Sequence, residues 1–503
     1  MAPSLPFSIT CTAERIRNPA MQLPALPAHL LILPDIGLIV LTMLVLAADL
    51  TMPVRWRRQA VTLLAGLGLL TLVLVLWLLP YDVDRIFVGG FRVTGFALLW
   101  KQVFVLSALC TVLLARPYFV AGGTRRRLMG NHGEFHALIL VCTLGMCVVV
   151  SAVDLLTLFV GMEMATIPMY VLSAYLKGDD LSAEAATKFI IMGSLSTGLM
   201  LFGYSFLYGA AGSLHFQQIL AAAQANPDAP LLMLGIFFVL AGIGFKLTLV
   251  PFHMWAPDVY EGAPTPVTAL LAISSKATGA VFLALLLYGP LAPLHATLKP
   301  VLLLLAAITM TVGNLGALQQ KNLRRFMAYS SISQAGYILL ALTGERHLAL
   351  TALVFYFLVY AAANYTVFFI ISIVGQKQDE NFSALRGLGA NHPVLAATLM
   401  LAAFSLAGMP PLAGFLGKFL LFAAAAQQGY YLMVAFAALN STISLYYYLL
   451  LLKEAYIVAP ESQPPVLSLD LVQKVSLAVL TLGMILPACL PRMVEAISVV
   501  CGR

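Results

Sequence analysis

The residues best placed to do chemistry in this chain are four charged groups set deep in apolar sequence. Glu163 stands in "LLTLFVGMEMATIPMY", Lys246 in "GFKLTLVPFHMW", Lys276 in "TALLAISSKATGAVF" and Lys418 in "SLAGMPPLAGFLGKF". Inserting one such group at the centre of a bilayer costs about 2.5–3.5 kcal/mol even on the lenient scale, so each needs a reason. Their types suit proton transfer. An apolar site weakens a lysine's hold on its proton, and a nearby carboxylate strengthens it again. Making and breaking a Glu163–Lys246 pair would therefore switch the lysine. A purely structural ion pair accounts for those two charges but leaves Lys276 and Lys418 without an acidic neighbour in their own segments.

Two of the four lie beside helix breakers. Pro251 follows Lys246 by five residues, and Pro410 and Pro411 precede Lys418. Proline removes an amide donor and clashes with the turn before it. Inside a membrane such a break is tolerated where it lines a cavity, and the freed carbonyls can bind water. Each break is thus expected to hydrate the lysine beside it. Further candidates are weaker. Lys188 stands one turn after Glu184, an i,i+4 pair. Lys101 lies nearer a helix end, where it can snorkel to the interface. His253 and Tyr329 are accessory proton-carrying candidates, and "KNLRR" (321–325) reads as a cytoplasmic anchor.

The elements that must position these groups are membrane helices. The 503 residues are 61% hydrophobic and 10% charged, against about 25% charged in a soluble domain. Apolar runs of bilayer-spanning length recur along the chain. They lack dyad alternation, so the expected class is an all-α polytopic membrane protein, not a β-barrel. About fourteen spans are expected, with cores near 28–50, 60–80, 93–115, 134–152, 154–176, 184–208, 229–256, 264–288, 298–318, 325–343, 348–374, 393–425, 430–457 and 471–491. The seventh and twelfth are interrupted. Residues 1–27 do not span. They read as a disordered tail or a spurious extension, with Met21 just before the first apolar run.

Of the 28 lysines and arginines, fifteen fall in loops after odd-numbered spans and eight on the opposite side, with five inside spans. The positive-inside rule makes the first set cytoplasmic and puts both termini across the membrane. The two broken spans lie five apart, and a five-helix unit reverses orientation between copies. Paired broken helices in two halves point to a transport site. The expected organisation is spans 1–3 (28–116), a first repeat of spans 4–8 (132–289), an inverted second repeat of spans 9–13 (298–457), and a last span with the C-terminus (470–503).

Absences narrow the chemistry. There is no GxGxxG, and "GK" at 417–418 lacks the rest of a phosphate loop. The six cysteines show no CxxC spacing, so no metal or redox motif is signalled. The basic excess follows membrane topology and does not mark a nucleic-acid surface.

The residues then resemble a known family. "FKLTLVPFHMWAPDVYEGAPTPVTALLAISSK" (245–276) resembles the signature of the proton-translocating, antiporter-like subunits of respiratory complex I. Within it, "PDVYEGAPTPVTA" is similar to the subunit N family of bacterial NADH-quinone oxidoreductase. Subunits L and M differ around the shared "PTPV". "EAATKFIIMGSLSTGLMLFGYSFLYGAAGS", "RRFMAYSSISQAGY" and "SLAGMPPLAGFLGKF" carry the same resemblance, which runs from about residue 30 to 490. It implies that Glu163, Lys246, Lys276 and Lys418 lie on a hydrated axis along the membrane midplane. It also implies that NADH, FMN, iron–sulfur clusters and quinone belong to other subunits, with no cofactor in this chain. The implied partners are subunit M, subunit K and the lateral helix of subunit L, in the bacterial inner membrane. Asp35 in "LPDIG" stands where the family usually has glutamate. A cation/proton antiporter or membrane-bound hydrogenase subunit is the alternative, though "DVYEGAPTPVTA" favours the first reading. The buried charges argue against a passive scaffold.

Overall fold

The computed structural model describes residues 28–87, 90–119, 132–376, 380–460 and 467–502. The expected tail at 1–27 lies outside the described residues. A first group of helices comprises α1 (Leu33–Thr51), α2 (Val54–Leu78) and α3 (Gly95–Phe119). Then come α4 (His132–Val150), α5 (Leu155–Ser173), α6 (Asp180–Ala211), the short α7 (Phe216–Ala225), α8 (Pro230–Leu247) and α9 (Trp255–Gly262). Next, α10 (Thr265–Leu270) runs through one π-helical turn, Leu271–Ser275, into α11 (Lys276–Tyr288). The second half holds α12 (His295–Ala317), α13 (Leu323–Ala341), α14 (Arg346–Val374), the single turn α15 (Leu388–Asn391), α16 (Pro393–Ala407), α17 (Ala413–Ala426) and α18 (Tyr431–Tyr456). The chain closes with α19 (Leu471–Cys489) and α20 (Pro491–Cys501).

Local chemistry sets many of these boundaries. Proline occupies the first turn of α1, α8, α16 and α20, where its missing amide costs nothing. The Asp154 side chain accepts from Thr157 N at 2.7 Å to cap α5, and Asn322 accepts from the amides of Arg324 and Arg325 to cap α13. Asp470 and Gln473 form a capping box on α19.

Among the described residues, twelve helices are long and apolar enough to cross a membrane. Two expected spans are not among them. α13 carries Ser330, Ser331, Ser333 and Gln334 along its buried surface, and α16 and α17 are each too short alone. The segment α10–α11 and helix α14 are almost wholly enclosed, while α2, α6, α18 and α19 turn most of their surface outward. Those outward faces are apolar, with Leu63, Leu67, Leu195 and Leu439 all exposed, as lipid contact requires. Without a hydrophobic drive between helices in lipid, close backbone packing matters. A Cβ on Gly145 would lie 2.4 Å from Ala165 N, and one on Gly203 would lie 2.7 Å from Gly235 O. These glycines let α4 meet α5 and α6 meet α8.

Three features go beyond the helical expectation. A hairpin, β1 (Asp84–Phe87) with β2 (Phe91–Thr94), follows α2. Arg92 and Asp84 pair across it at 2.6 Å, and Arg92 holds the exposed Asp84 carboxyl below its usual range. The other two additions, α7 and α20, are amphipathic and too short to span.

Candidate functional site

The first break separates α8 from α9. Helix α8 ends as Thr248 turns into the left-handed region, φ 58°. A β-branched residue is a rare occupant of that region, so the turn is strained. The surroundings hold it there. Leu249 N bonds to Gly244 O at 2.8 Å, Val250 N to Thr309 Oγ1 on α12 at 3.1 Å, and Trp255 Nε1 reaches back over the break to Phe245 O at 3.2 Å.

Two lysines converge on this break. Lys246, in the last turn of α8, is buried; its Nζ lies 3.6 Å from Glu163 Oε1 on α5. The same amine donates to Thr166 Oγ1 at 2.9 Å, and Thr197 Oγ1 on α6 donates to Glu163 Oε1 at 3.0 Å. The lysine thus bonds to a neutral hydroxyl, with the carboxylate at ion-pair distance but no closer. Lys276 opens α11 directly after the π-helical turn. Its Nζ donates to Thr248 Oγ1 at 2.6 Å and to Ser331 O of α13 at 2.8 Å. No carboxylate lies within ion-pair distance of Lys276 among the described residues. One strained residue, Thr248, therefore joins the end of α8 to the start of α11.

The second break separates α16 from α17. Gly408 takes the left-handed position, φ 83°, and a Cβ there would lie 2.7 Å from Lys418 Cδ. Lys418 folds back across the break and donates to Ala407 O at 3.0 Å and to Ser441 Oγ of α18 at 3.1 Å. Its amine also lies 4.9 Å from the centre of the Tyr337 ring, a cation–π distance. Asn314 links Tyr337 and Asn440 beside it. Lys418 too has no carboxylate at ion-pair distance among the described residues.

The weaker candidates divide. Lys188 makes the expected pair with Glu184 at 2.7 Å, and a second with Asp258 of α9 at 2.6 Å. His253 lies in the first break, half-buried. Tyr329 packs its ring against Gly316. One expectation is corrected. Lys101 does not snorkel: it is fully buried and paired with Asp35 at 2.6 Å, because α1 offers a carboxylate that a sequence separation of 66 hides. In "KNLRR" both arginines are paired within the protein. Arg324 is buried against Glu380 at 2.6 Å and donates to Ala263 O, while Arg325 pairs with Asp258 and Glu261. These contacts tie the far end of α9 to α13. Asp258 and Glu261 lie three apart in "PDVYEG", a helical spacing that puts both on one face.

Among the described residues, no group of three or more His, Cys, Asp or Glu could hold a metal ion. The arrangement's chemistry is that of lysines whose charge is balanced by one carboxylate, several hydroxyls and two helix ends.

Residues 152–444 match the family described as "NADH:quinone oxidoreductase/Mrp antiporter, TM". The chain is similar to NADH-quinone oxidoreductase subunit N of Moorella thermoacetica, 38% identical over 68% of this chain and 71% of that protein. The subunit N of Phocaeicola vulgatus is likewise 38% identical, over 78% of this chain and 81% of its own length. A chain of respiratory complex I from Thermus thermophilus superposes with a TM-score of 0.77 at 33% identity, covering 92% of this chain and 98% of that one. A chain of the Mrp complex from Dietzia sp. shares the fold, with a TM-score of 0.80 at 21% identity over 94% and 96% of the two chains.

Proposed function

Because this chain belongs to the NADH:quinone oxidoreductase/Mrp antiporter family, within its subunit N branch, we propose that it moves protons through the lysines at its two breaks. It is a multi-pass membrane subunit of NADH-quinone oxidoreductase. Electron transfer from NADH to quinone, with its FMN and iron–sulfur clusters, takes place in other subunits of the assembly. This chain converts the energy released there into proton movement.

The observation that carries the reading is the first break, where Lys246 and Lys276 meet a strained turn and only one carboxylate is near. A charge pair about 4 Å apart attracts by about 4 kcal/mol at an effective dielectric of about 20, and by about 1 kcal/mol in water. Admitting water at the break changes that attraction by about 3 kcal/mol, on the order of a hundredfold in equilibrium. Such a swing is comparable with the ~2.3 kcal/mol needed per charge against 100 mV. Glu163 serves as the switching partner, Lys246 as the switched group, Lys276 as the relay and Lys418 as the terminal group. Lys188, His253 and Tyr329 are accessory.

α16–α17 count as one broken crossing and α13 as another, giving fourteen. The units 132–289 and 298–457 form an inverted repeat, supported by a left-handed cap and a lysine at each break. Both termini face the periplasm across the inner membrane. Neighbouring subunits M and K and the lateral helix of subunit L are its partners. The test is Lys276→Ala, with NADH-driven proton uptake in membrane vesicles and complex assembly measured together. Assembly stays normal and uptake falls. Normal uptake by a fully assembled variant removes Lys276 from the pathway.

A further inference from the structure

Between the ends of α12, α13 and α18 lies a cavity of about 500 Å³. It lies on the side of the loops after α12 and α14, which the lysine and arginine bias makes cytoplasmic. Lys321, Arg386, Lys453 and Glu454 line it. Arg386 Nε and Glu454 Oε2 are 2.8 Å apart, so that pair neutralises itself. Neither Lys321 nor Lys453 has an ion-pair partner among the described residues, and both are exposed. Two uncompensated positive charges therefore line one half-open concavity. Ser383 adds a hydroxyl and Gln320 and Asn381 add amides, while Leu318, Phe382 and Leu450 supply apolar wall.

The approach to this cavity is built for hydrocarbon. On α12, Leu304, Ile308 and Leu315 are exposed at helical spacing. On α18, Leu439, Tyr446 and Leu449 are exposed, and Lys453 continues the same stripe at i+4. The two helices pack together, so their outer stripes border one furrow that ends at the charged cavity.

We propose that the cavity holds the headgroup of an anionic phospholipid, with its acyl chains along the furrow between α12 and α18. Lysines that only anchor a helix would need no shared cavity. Here charges from the end of α18 (Lys453) and the α12–α13 connection (Lys321) meet in a concave site beside a lipid-facing surface, and basic pockets between membrane helices on the cytoplasmic side select anionic headgroups. With the Arg386–Glu454 pair neutral, Lys321 and Lys453 can balance one or two negative charges and repel a ligand of net positive charge.

The assembled complex is placed in phosphatidylcholine nanodiscs containing photoactivatable phosphatidylglycerol, and adducts are mapped by peptide mass spectrometry. Adducts are expected on the 315–326 and 446–454 segments. They fall at least fivefold in the Lys321→Gln/Lys453→Gln double variant and return in Lys321→Arg/Lys453→Arg. Unlabelled phosphatidylglycerol competes, whereas inorganic phosphate does not. Equal labelling by photoactivatable phosphatidylcholine, or no change in the Gln variant, overturns the proposal in favour of non-selective lipid contact. Competition by inorganic phosphate alone overturns it in favour of a free-anion site. None of these readouts depends on proton pumping.

Discussion

The two breaks are built on one plan and charged differently. Each ends a half-helix with a left-handed residue, and each brings a buried lysine to the freed backbone. At the first break the lysine precedes the turn and has Glu163 3.6 Å away. At the second it follows the turn and rests on Ala407 O, Ser441 Oγ and the Tyr337 face. The left-handed residue differs as well: Gly408 takes the position freely, while Thr248 pays strain for it and in return gives Lys276 a hydroxyl. On the proposed mechanism the first break is switched by moving one carboxylate, whereas the second, with no carboxylate at ion-pair distance among the described residues, responds to what arrives at its lysine.

The largest expected effect separates the two directly. Lys246→Met leaves Glu163 with no cation at ion-pair distance, and removing one partner of a buried pair costs about 3–5 kcal/mol. The cost should fall toward the lower end, because the Glu163 side chain is 15% exposed. The yield of assembled complex and its melting temperature should both drop, along with proton uptake. Lys418→Met is the counterpart. It removes bonds to neutral acceptors and the contact with the Tyr337 ring but orphans no charge, so stability should fall by about 1–2 kcal/mol, less than in Lys246→Met, while uptake falls. Equal losses of assembly in the two variants would erase the distinction between the breaks.

A smaller effect sharpens the second break. Tyr337→Leu removes the ring under Lys418 and should cost about 0.5–2 kcal/mol, read as a lower melting temperature. Tyr337→Phe keeps the ring and should cost less. If the two variants cost the same, the hydroxyl that meets Asn314 matters and the ring does not.

Twelve spans were legible because length and hydropathy alone define them, and the breaks because Pro251, Pro410 and Pro411 interrupt the helical ladder. The four buried charges were legible for the same reason, since each stands out against apolar neighbours. What their partners are was not. Thr166, Thr248, Ser331 and Ser441 are ordinary residues in helical sequence, and nothing local says that lysines will reach them. Nor does any composition signal separate the π-helical turn at Leu271–Ser275 from the α-helix around it. The Asp35–Lys101 and Arg324–Glu380 pairs join residues 66 and 56 positions apart, so helix-periodicity rules that work over four residues had no purchase. The hairpin at 84–94 was too short to register as strands amid the spans.

The central claim is that Glu163 and Lys246 act as one switching unit. Its most direct test is a double-mutant cycle on protons taken up per NADH oxidised in inverted membrane vesicles, using Glu163→Gln, Lys246→Met and both together. Groups that act as a unit are non-additive. The double variant is expected to lose no more pumping than the worse single variant. Losses that multiply across the two sites would show that the pair at 3.6 Å does not work as a switch.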